Sequence, residues 1–459
     1  MKKGTVTPPL NTSLTVKCID IDHAGYGVCK WNSCVIKVPG LIPNEEAIIK
    51  CELRIKSYWI AKIEKIILYS KSRTVPICPV AEECGGCTLQ HINDKNQFII
   101  KNTQFYNELV RTNLIDKNFI INSYPSSLNL NYRNKAIMPV RSNTPSTISI
   151  GYYKYNTHDI INIDSCPVLD NRINNILDTI INQLSNSNIY ADNDLSQDNA
   201  LRHISIRLGI NTNEILITFI SSYKLKNKLR TLVSNITSIH TNIVGIVNNI
   251  QPNRTNVIFG DETFVLFGRP YLLEKFCNLR FRIGVTSFFQ PNLNLAEQII
   301  KLITKFLSKD KRVIDAYSGI GTISIPLANI GYDVLSIENN IESNKLAIIN
   351  AKLNHITNIN FYCGDVEKYL YDLLEESDAL IIDPPRKGLS VKTTNIILER
   401  MPDLIIYQSC NPSSLRRDLT SIIENGNYTI DNISTLDFFP QTTHLESLTI
   451  LRKLNSKFS

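Results

Sequence analysis

The first part of the chain alternates apolar and polar residues with the period of β-strands. One of the alternating runs ends at the turn dipeptide Pro39-Gly40. Short strands at this spacing predict a small closed barrel over residues 1–75. The alternating runs cover residues 14–21, 33–38, 47–53 and 58–63.

The middle of the chain combines a long helical pattern with alternating strands. A helix is predicted from about residue 96 to 112, and residues 130–280 then read as strands with one or two helices. The polar tract at 185–200 has the composition of a loop. We therefore expect a central α+β domain over residues 76–285, with the helical region 96–117 packing on the domain that follows.

From residue 295 onward, apolar strands are separated by helical segments. This alternation is typical of a parallel sheet with helices on both faces. Two later runs, at 428–436 and 448–454, predict a closing antiparallel pair. We expect a doubly wound α/β domain over residues 286–459 that binds ligands at the carboxyl ends of its strands. The five apolar runs are residues 312–316, 334–337, 359–362, 379–382 and 404–408.

Length and composition narrow the class of protein. The 459 residues are 43% hydrophobic and 20% charged, which suits about three domains with buried cores and argues against a disordered chain. No apolar run is long enough for a membrane helix, and the start lacks the apolar core of a secretory signal. Eleven cysteines in such a chain favour a reducing compartment, so we expect a cytoplasmic protein.

The net charge of +7 is concentrated near the N-terminus. Residues 1–75 hold 12 Lys and Arg against 6 Asp and Glu. A basic module indicates either a polyanionic partner, whose phosphates release counterions on binding, or a solvated basic surface without a partner. Charge alone does not separate the two interpretations.

The first strand of the C-terminal domain leads into a glycine-containing turn. Gly319 and Gly321 allow the backbone to approach a nucleotide-like ligand, and the chain has no GxxxxGK[ST] motif. Glu338 ends the second strand, where an acid accepts hydrogen bonds from ribose hydroxyls. The third glycine of a dinucleotide motif is missing. With Asp365 after the third strand and Asp383 after the fourth, the pattern resembles class I methyltransferases, which use S-adenosylmethionine.

A cysteine follows the fifth strand of this domain. A side chain at Cys410 is expected to point into the ligand crevice. A thiol becomes a nucleophile when nearby cations or a helix N-terminus lower its pKa, and Arg386, Arg416 and Arg417 are the candidate cations. The alternative is a buried packing cysteine, but the position after a strand of a cofactor-binding sheet favours the nucleophile.

The motifs together resemble the RNA uracil-C5 methyltransferase family, and the resemblance covers nearly the whole chain. It implies that Cys410 adds to C6 of uracil, because C5 is too electron-poor to attack a sulfonium methyl group unaided. It also implies that Glu446 removes the C5 proton after methyl transfer. The matching motifs are SFFQPN at 287–292, IIDPPRKGL at 381–389, SCNP at 409–412 and FPQTTHLE at 439–446.

The same resemblance assigns further site residues. Phe288 is the expected stacking partner of the target base, which must leave its own stack to reach the crevice. Two departures from some relatives occur at Tyr317 and Thr322, and Pro291 stands where relatives often have an apolar residue. The residues expected to contact S-adenosylmethionine are Gln290, Tyr317, Glu338 and Asp383, with Thr322 and Asp365 as further candidates.

Four cysteines have the spacing of a metal site. Cys78, Cys84 and Cys87 form a C-x5-C-x2-C pattern, and Cys166 is the expected fourth ligand. Four thiolates bind either zinc or an iron–sulfur cluster, and spacing alone does not distinguish them. The family resemblance implies a [4Fe-4S] cluster with a structural role, since methyl transfer needs no electrons.

The N-terminal barrel resembles the TRAM domain, an OB-like barrel found on RNA-modifying enzymes. Such barrels bind single strands through a basic groove and aromatic side chains. Relatives with both this barrel and the cysteine cluster mostly modify 23S ribosomal RNA, so the resemblance favours 23S rRNA over tRNA as the substrate. We expect a monomer without membrane association.

Two other classes of function compete with this interpretation. An RNA-binding iron–sulfur protein with an inert methyltransferase domain would lack Cys410 or Glu446, and both are present. An amino-group methyltransferase would carry an Asn-Pro-Pro-aromatic loop, whereas this chain has Asp383-Pro384-Pro385-Arg386.

Overall fold

The computed structural model of the protein describes residue 8 and residues 10–454, apart from 145–146, 156, 186, 188, 192–199, 226, 254 and 377. The chain forms two compact units. Unit 1 consists of Met1–Thr103, Tyr153–Asp159 and Phe439–His444, and unit 2 consists of Gln104–Tyr152, Ile160–Phe438 and Leu445–Ser459. The predicted domain boundaries at 75/76 and 285/286 stay predictions.

Unit 1 begins with a closed five-stranded barrel in the order β1-β2-β3-β5-β4. The alternation that predicted the strands buries one face of each strand, for example Val16, Ile36 and Ile49. Gly27 lies where two backbones meet closely, because a Cβ atom there would stand 2.4 Å from the Leu41 carbonyl oxygen. The predicted N-terminal barrel is confirmed. Its strands are β1 (Ser13–Ile21), β2 (Tyr26–Trp31), β3 (Cys34–Pro39), β4 (Glu46–Ile55) and β5 (Tyr58–Leu68).

Helix α1 (Asp94–Val110) begins and ends two residues before the predicted 96–112. Within unit 1, Gln97 of this helix exchanges two hydrogen bonds with Gln441. The Gln97 side-chain amide donates to Gln441 Oε1 at 2.9 Å, and the Gln441 backbone N–H donates to Gln97 Oε1 at 2.9 Å. The segment just before the predicted base is therefore held by α1.

Unit 2 contains a large sheet in the order β14-β13-β12-β11-β7-β8-β9, with β10 paired to β11. Helix α2 has apolar side chains at helical spacing, and these are its buried residues, beginning at Ile173 and ending at Leu184. The elements are β6 (Asn122–Tyr124), β7 (Lys135–Thr144), β8 (Thr147–Tyr153), β9 (Ile160–Asn162), α2 (Asn171–Ser185), β10 (Tyr190–Ala191), β11 (Ala200–Leu208), β12 (Ile215–Ser221), α3 (Arg230–Ile239), β13 (Ile243–Ile250) and β14 (Glu262–Gly268).

A two-stranded hairpin follows, formed by β15 (Tyr271–Phe276) and β16 (Leu279–Gly284). Its two loop residues, Cys277 and Asn278, both have positive φ, which matches the twist of a tight hairpin. Phe276 of the hairpin lies edge-on to the ring of Phe289, with centroids 5.8 Å apart. This contact anchors the segment that carries Phe288 and Gln290.

The second sheet of unit 2 has the order β19-β18-β17-β20-β21-β23-β22-β6. Strands β17 to β21 are parallel, and every residue of β17, β20 and β21 is buried, as expected for strands covered on both faces. The elements are α4 (Leu293–Phe306), β17 (Val313–Ala316), α5 (Ser324–Ile330), β18 (Val334–Glu338), α6 (Ile341–Leu353), β19 (Ile359–Cys363), α7 (Val366–Leu373), β20 (Ala379–Ile382), α8 (Val391–Arg400), β21 (Leu404–Ser409), α9 (Pro412–Gly426), β22 (Tyr428–Leu436) and β23 (Glu446–Lys453).

The strand order of this sheet reverses beside β17. The chain passes from β17 to β18 and β19 on one side and then returns to β20 and β21 on the other. Ligands of doubly wound sheets bind at the carboxyl ends of the strands where the order reverses. The doubly wound sheet and its antiparallel pair, β22 and β23, are confirmed, whereas the parallel addition of β6 to β22 was not predicted.

Among the described helices, none combines the length and the apolar character that crossing a membrane requires.

Candidate active site

The turn after β17 has an unusual backbone. Tyr317, Gly319 and Gly321 all have positive φ, at 69°, 58° and 87°. A Cβ atom on Gly321 would stand 2.6 Å from the Ile325 side chain, so this position requires glycine. Positive φ is rare for a bulky residue such as Tyr317 and is found preferentially at functional sites.

Glu338 joins this turn to the next strand. One carboxylate oxygen accepts a hydrogen bond from the Gly319 N–H at 2.8 Å, and the other accepts from the Asn340 N–H at 2.7 Å. A carboxylate has about four acceptor positions, so both oxygens can accept further bonds. The geometry suits an acid that binds two neighbouring hydroxyl groups.

A pocket in unit 2 brings together three of the predicted cofactor residues, Gln290, Thr322 and Asp383. The buried Gln408 Oε1 also belongs to its lining and has no hydrogen-bond partner among the described residues. An unpaired buried oxygen is costly unless a ligand or water satisfies it. The pocket therefore fits a ligand that carries hydrogen-bond donors. The remaining lining residues are Phe276, Phe289, Ala296, Ile299, Ile300 and Ile323.

The other predicted cofactor residues lie outside that lining. Tyr317 follows β17, Glu338 ends β18, and Asp365 directly precedes α7. Asp365 is exposed, and its side chain makes no capping bond to α7. Phe288 is 68% exposed although Ser287 and Phe289 on either side are buried, which is uncommon for a large aromatic residue.

Cys410 lies between β21 and α9 and is half-buried. Asn411 is the N-cap of α9, since its side chain accepts the Ser413 N–H at 3.1 Å, and Pro412 is the first helical residue. The cysteine therefore stands at the positive end of a 15-residue helix, a position that favours a thiolate.

Burial nevertheless raises the pKa of the Cys410 thiol to about 11, and the carboxylates of Glu446 and Asp383 contribute to the same rise. Arg386 acts in the opposite direction and lowers this pKa. Arg386 is the predicted cation that lowers this pKa, whereas Arg416 lies 2.8 Å from Glu108 and Arg417 pairs with Asp418. In the ligand-free protein the thiol is protonated at neutral pH.

Glu446 is the first residue of β23 and is buried. Because β21 and β23 are antiparallel with Ser409 opposite Ser447, Glu446 is carried to the strand end from which Cys410 follows. Burial raises the pKa of Glu446 to about 7, while a hydrogen bond from the Gln408 amide at 3.1 Å and the charge of Arg386 act to lower it. Its carboxyl group can therefore exchange a proton near neutral pH.

The acids of the site influence one another. Burial raises the pKa of Asp383 well above its ordinary value, and the charges of Glu446 and Asp315 raise it further. Burial also raises the pKa of Asp315, to about 7, although Ser324 donates a hydrogen bond to it. Acids with pKa values displaced toward neutrality are typical of catalytic sites.

The four predicted cluster cysteines divide between the two units. Cys78, Cys84 and Cys87 belong to unit 1, and Cys166 belongs to unit 2. Within the part of the chain that the structure describes, no group of three or more His, Cys, Asp or Glu side chains is arranged to hold a metal ion. The predicted four-cysteine site is thus not formed by the described side chains.

Gln408 was not among the site residues predicted from the sequence. It ends the buried apolar run of β21 and is 2% exposed, yet its amide contacts Glu446 and lines the pocket. A polar residue inside an apolar parallel strand, two positions before the predicted nucleophile, is the signal that could have revealed it, since alternate residues of a strand share a face.

The fold and the site define a class of protein: a mixed α/β protein with a methyltransferase-like domain and a small N-terminal barrel. The chain belongs to the tRNA (uracil-5-)-methyltransferase family, since residues 117–454 match the family described as tRNA (Uracil-5-)-methyltransferase. The family resemblance predicted from the sequence is confirmed, and the protein is an RNA methyltransferase of the uracil-C5 family.

The chain is similar to several RNA methyltransferases. An uncharacterized RNA methyltransferase of Prochlorococcus marinus is 46% identical over 91% of this chain and 100% of that protein. Another, from Parasynechococcus marenigrum, is 38% identical over 96% of each chain. The crystal structure of Pyrococcus abyssi tRNA (uracil-54, C5)-methyltransferase in complex with S-adenosyl-L-homocysteine has a TM-score of 0.77 and 24% identity, and covers 95% of this chain and 99% of that one. This last likeness supports the fold.

Alkylation of Cys410 by iodoacetamide tests the electrostatics of the site. In the ligand-free protein the rate should keep rising with pH toward about 11, because the thiolate is the reacting form. Arg386→Gln should move the midpoint to higher pH, since a charge that favours the thiolate is lost. Glu446→Gln should move it to lower pH, since a charge that disfavours the thiolate is lost.

The measurement is mass spectrometry of the Cys410 peptide, with the peptide of the exposed Cys363 as the internal control. Midpoints near the ordinary thiol value of 9.0 in all three proteins would contradict the described electrostatics.

Proposed function

We propose that this protein methylates C5 of a uridine in RNA through a temporary bond between Cys410 and C6 of the base. The observation that carries the proposal is the antiparallel register of β21 and β23, which brings Glu446 to the strand end from which Cys410 follows in a methyltransferase-like sheet. A thiol and a buried carboxyl group with a pKa of about 7 supply the nucleophile and the base that this reaction needs.

In the first step Cys410 loses its thiol proton to solvent, and its Sγ forms a bond to C6. The π electron pair of the C5–C6 double bond moves to C5, which becomes nucleophilic and takes the methyl group. When bound, S-adenosylmethionine would supply that methyl group as an electrophile and would leave as S-adenosylhomocysteine, because the electron pair of the broken S–CH3 bond stays on sulfur. Arg386 and the N-terminus of α9 assist by favouring the thiolate of Cys410.

The second step removes the proton that C5 still carries. Glu446 accepts this proton, the C5–C6 double bond forms again, and the C6–S bond breaks with the electron pair returning to sulfur. Gln408 holds the carboxylate of Glu446 through its amide, which keeps one oxygen oriented while the other remains for the proton.

The residues that we propose hold S-adenosylmethionine fit a ligand of this kind. Glu338 has acceptor positions for two ribose hydroxyls. The unpaired Gln408 Oε1 offers a further acceptor in the pocket, and an anionic Asp383 there would favour a positively charged sulfonium. The full proposed set is Gln290, Tyr317, Thr322, Glu338, Asp365 and Asp383.

For the substrate we propose 23S ribosomal RNA, bound through the N-terminal barrel, with the exposed Phe288 stacking on the target base. The basic charge of residues 1–75 and the barrel fold support binding of RNA, and the choice of 23S rRNA rests on the combination of the barrel with the cysteine motif. Transfer RNA is the second candidate. The family description names tRNA, and the fold match to the Pyrococcus abyssi enzyme extends over the barrel, so the barrel does not separate the two substrates.

Mass mapping of 5-methyluridine in ribosomal and transfer RNA, from cells with and without the gene, tests this function. We expect one or more sites in 23S rRNA to lose the methyl group and to regain it with the wild-type protein. Cys410→Ala should fail to restore it, because loss of a nucleophile lowers turnover by several orders of magnitude.

Loss of methylation only in tRNA would overturn the rRNA assignment and leave the reaction intact. Full restoration by Cys410→Ala would overturn the nucleophile.

We also propose that Cys78, Cys84, Cys87 and Cys166 hold a [4Fe-4S] cluster with a structural role. The support is their thiol chemistry, their spacing and one local contact: the Gly86 N–H donates to Cys84 Sγ at 3.4 Å. Backbone N–H bonds to sulfur are among the groups that tune iron–sulfur clusters.

Iron and sulfide analysis of protein purified without oxygen tests the cluster, and about four of each per chain are expected. Cys84→Ser should lower both to background, whereas Cys363→Ser, at an exposed cysteine outside the motif, should leave both unchanged. Stoichiometric zinc, or no metal, in the wild-type protein would contradict the proposal.

A further inference from the structure

One polar face of α9 forms hydrogen bonds with the loop that carries Asp383 and Arg386. Asn411, Ser414 and Asp418 follow one another at spacings of three and four residues, so they share one face of the helix. Each of them bonds to the loop at residues 383–389. The loop would otherwise be an exposed connection, since Pro385, Arg386 and Lys387 are exposed.

The first contact between α9 and the loop is at the carbonyl oxygen of Arg386. It accepts one hydrogen bond from the Asn411 side-chain amide at 2.9 Å and another from the Ser414 hydroxyl at 3.1 Å. Asn411 also caps α9, so the residue after Cys410 fixes both the helix end and the loop. This contact sets where the backbone of Arg386 lies relative to the thiol.

The second contact between α9 and the loop is made by the carboxylate of Asp418, a residue that is 3% exposed. Its Oδ2 accepts the Leu389 N–H at 2.8 Å and the Tyr407 hydroxyl at 2.6 Å. Its Oδ1 accepts two N–H groups of Arg417, and Arg417 also donates to the Lys387 carbonyl at 2.9 Å. Asp418 thus joins the loop after β20, the strand β21 and the helix α9.

The loop packs so closely against α9 that one of its positions requires glycine. Gly388 has φ of 77°, and a Cβ atom there would lie 2.4 Å from Asp418 Oδ2 and 2.7 Å from a guanidinium nitrogen of Arg417. Only glycine permits both this backbone conformation and this approach. Of the two residues beside it in the loop, Lys387 is exposed and Leu389 is buried.

We propose that Asp418 is a positioning residue that holds Arg386 and Asp383 in place around Cys410. The inference rests on the proposed function, since it gives a role in methyl transfer to a residue that does not itself face the reacting atoms. Its two bonds to Leu389 and Tyr407 fix the loop against β21, the strand that ends next to Cys410.

The test compares Asp418→Asn and Tyr407→Phe with wild type in a single-turnover methyl-transfer assay at saturating RNA and S-adenosylmethionine. Asp418→Asn replaces an acceptor by a donor and should lower the rate about 10- to 100-fold, because displacement of a catalytic group by about 1 Å has effects of this size. Tyr407→Phe removes one of the bonds and should lower it a few-fold.

The alkylation profile of Cys410 gives a readout that loss of stability alone would not move. With Arg386 displaced, the midpoint in Asp418→Asn should shift to higher pH. The matched control is Asp403→Asn, which removes an acid paired with Lys311 at 2.7 Å at the opposite end of β21 and should leave the rate and the profile unchanged.

The inference would be overturned if Asp418→Asn kept a methyl-transfer rate within two-fold of wild type and an unchanged alkylation midpoint. An equal loss of rate in Asp403→Asn would also overturn it. If Asp418→Asn does not fold, Tyr407→Phe decides by the same two readouts. Absence of uridine C5 methylation by the wild-type protein would instead contradict the proposed function. Failure of the positioning role and failure of the proposed function are therefore distinguishable.

Discussion

The chemistry that we propose for this protein depends on the balance of charges around one half-buried thiol. Burial and the carboxylates of Glu446 and Asp383 keep Cys410 protonated, while Arg386 and the N-terminus of α9 favour the thiolate. A balance of this kind suits a nucleophile that should form only when substrate is present. In the proposed mechanism the thiol is protonated while the site is empty, and binding that offsets the carboxylate charges would favour the thiolate.

The fold brings these groups together from distant parts of the chain. Asp383 and Cys410 directly follow the carboxyl ends of the parallel strands β20 and β21. The antiparallel strand β23 begins at the same edge of the sheet with Glu446. In the proposed mechanism the antiparallel strand β23 is a functional element, because its first residue, Glu446, lies where the parallel strands end. Gln408 then ties β21 to Glu446.

Sequence patterns predicted the parallel strands well, because strands buried on both faces are apolar throughout, and β17, β20 and β21 are such strands. The same reasoning missed β6, whose three residues are exposed or half-exposed and carry no pattern. The family motifs predicted Cys410 as the nucleophile and Glu446 as the base. The sequence did not predict the direction of the Cys410 pKa, because burial and neighbouring acids are properties of the folded protein. Arg416 and Arg417 are close to Cys410 in sequence, yet each pairs with another acid.

The most direct test of the central claim is a denaturing gel, with peptide mass analysis, of Glu446→Gln incubated with substrate RNA and S-adenosylmethionine. If Cys410 attacks C6 and Glu446 removes the C5 proton, the variant should stall after methyl transfer. A slow-moving protein–RNA band should then accumulate, and its mass should place a methylated uridine on the Cys410 peptide. Unlinked RNA carrying 5-methyluridine at the wild-type rate would contradict the account.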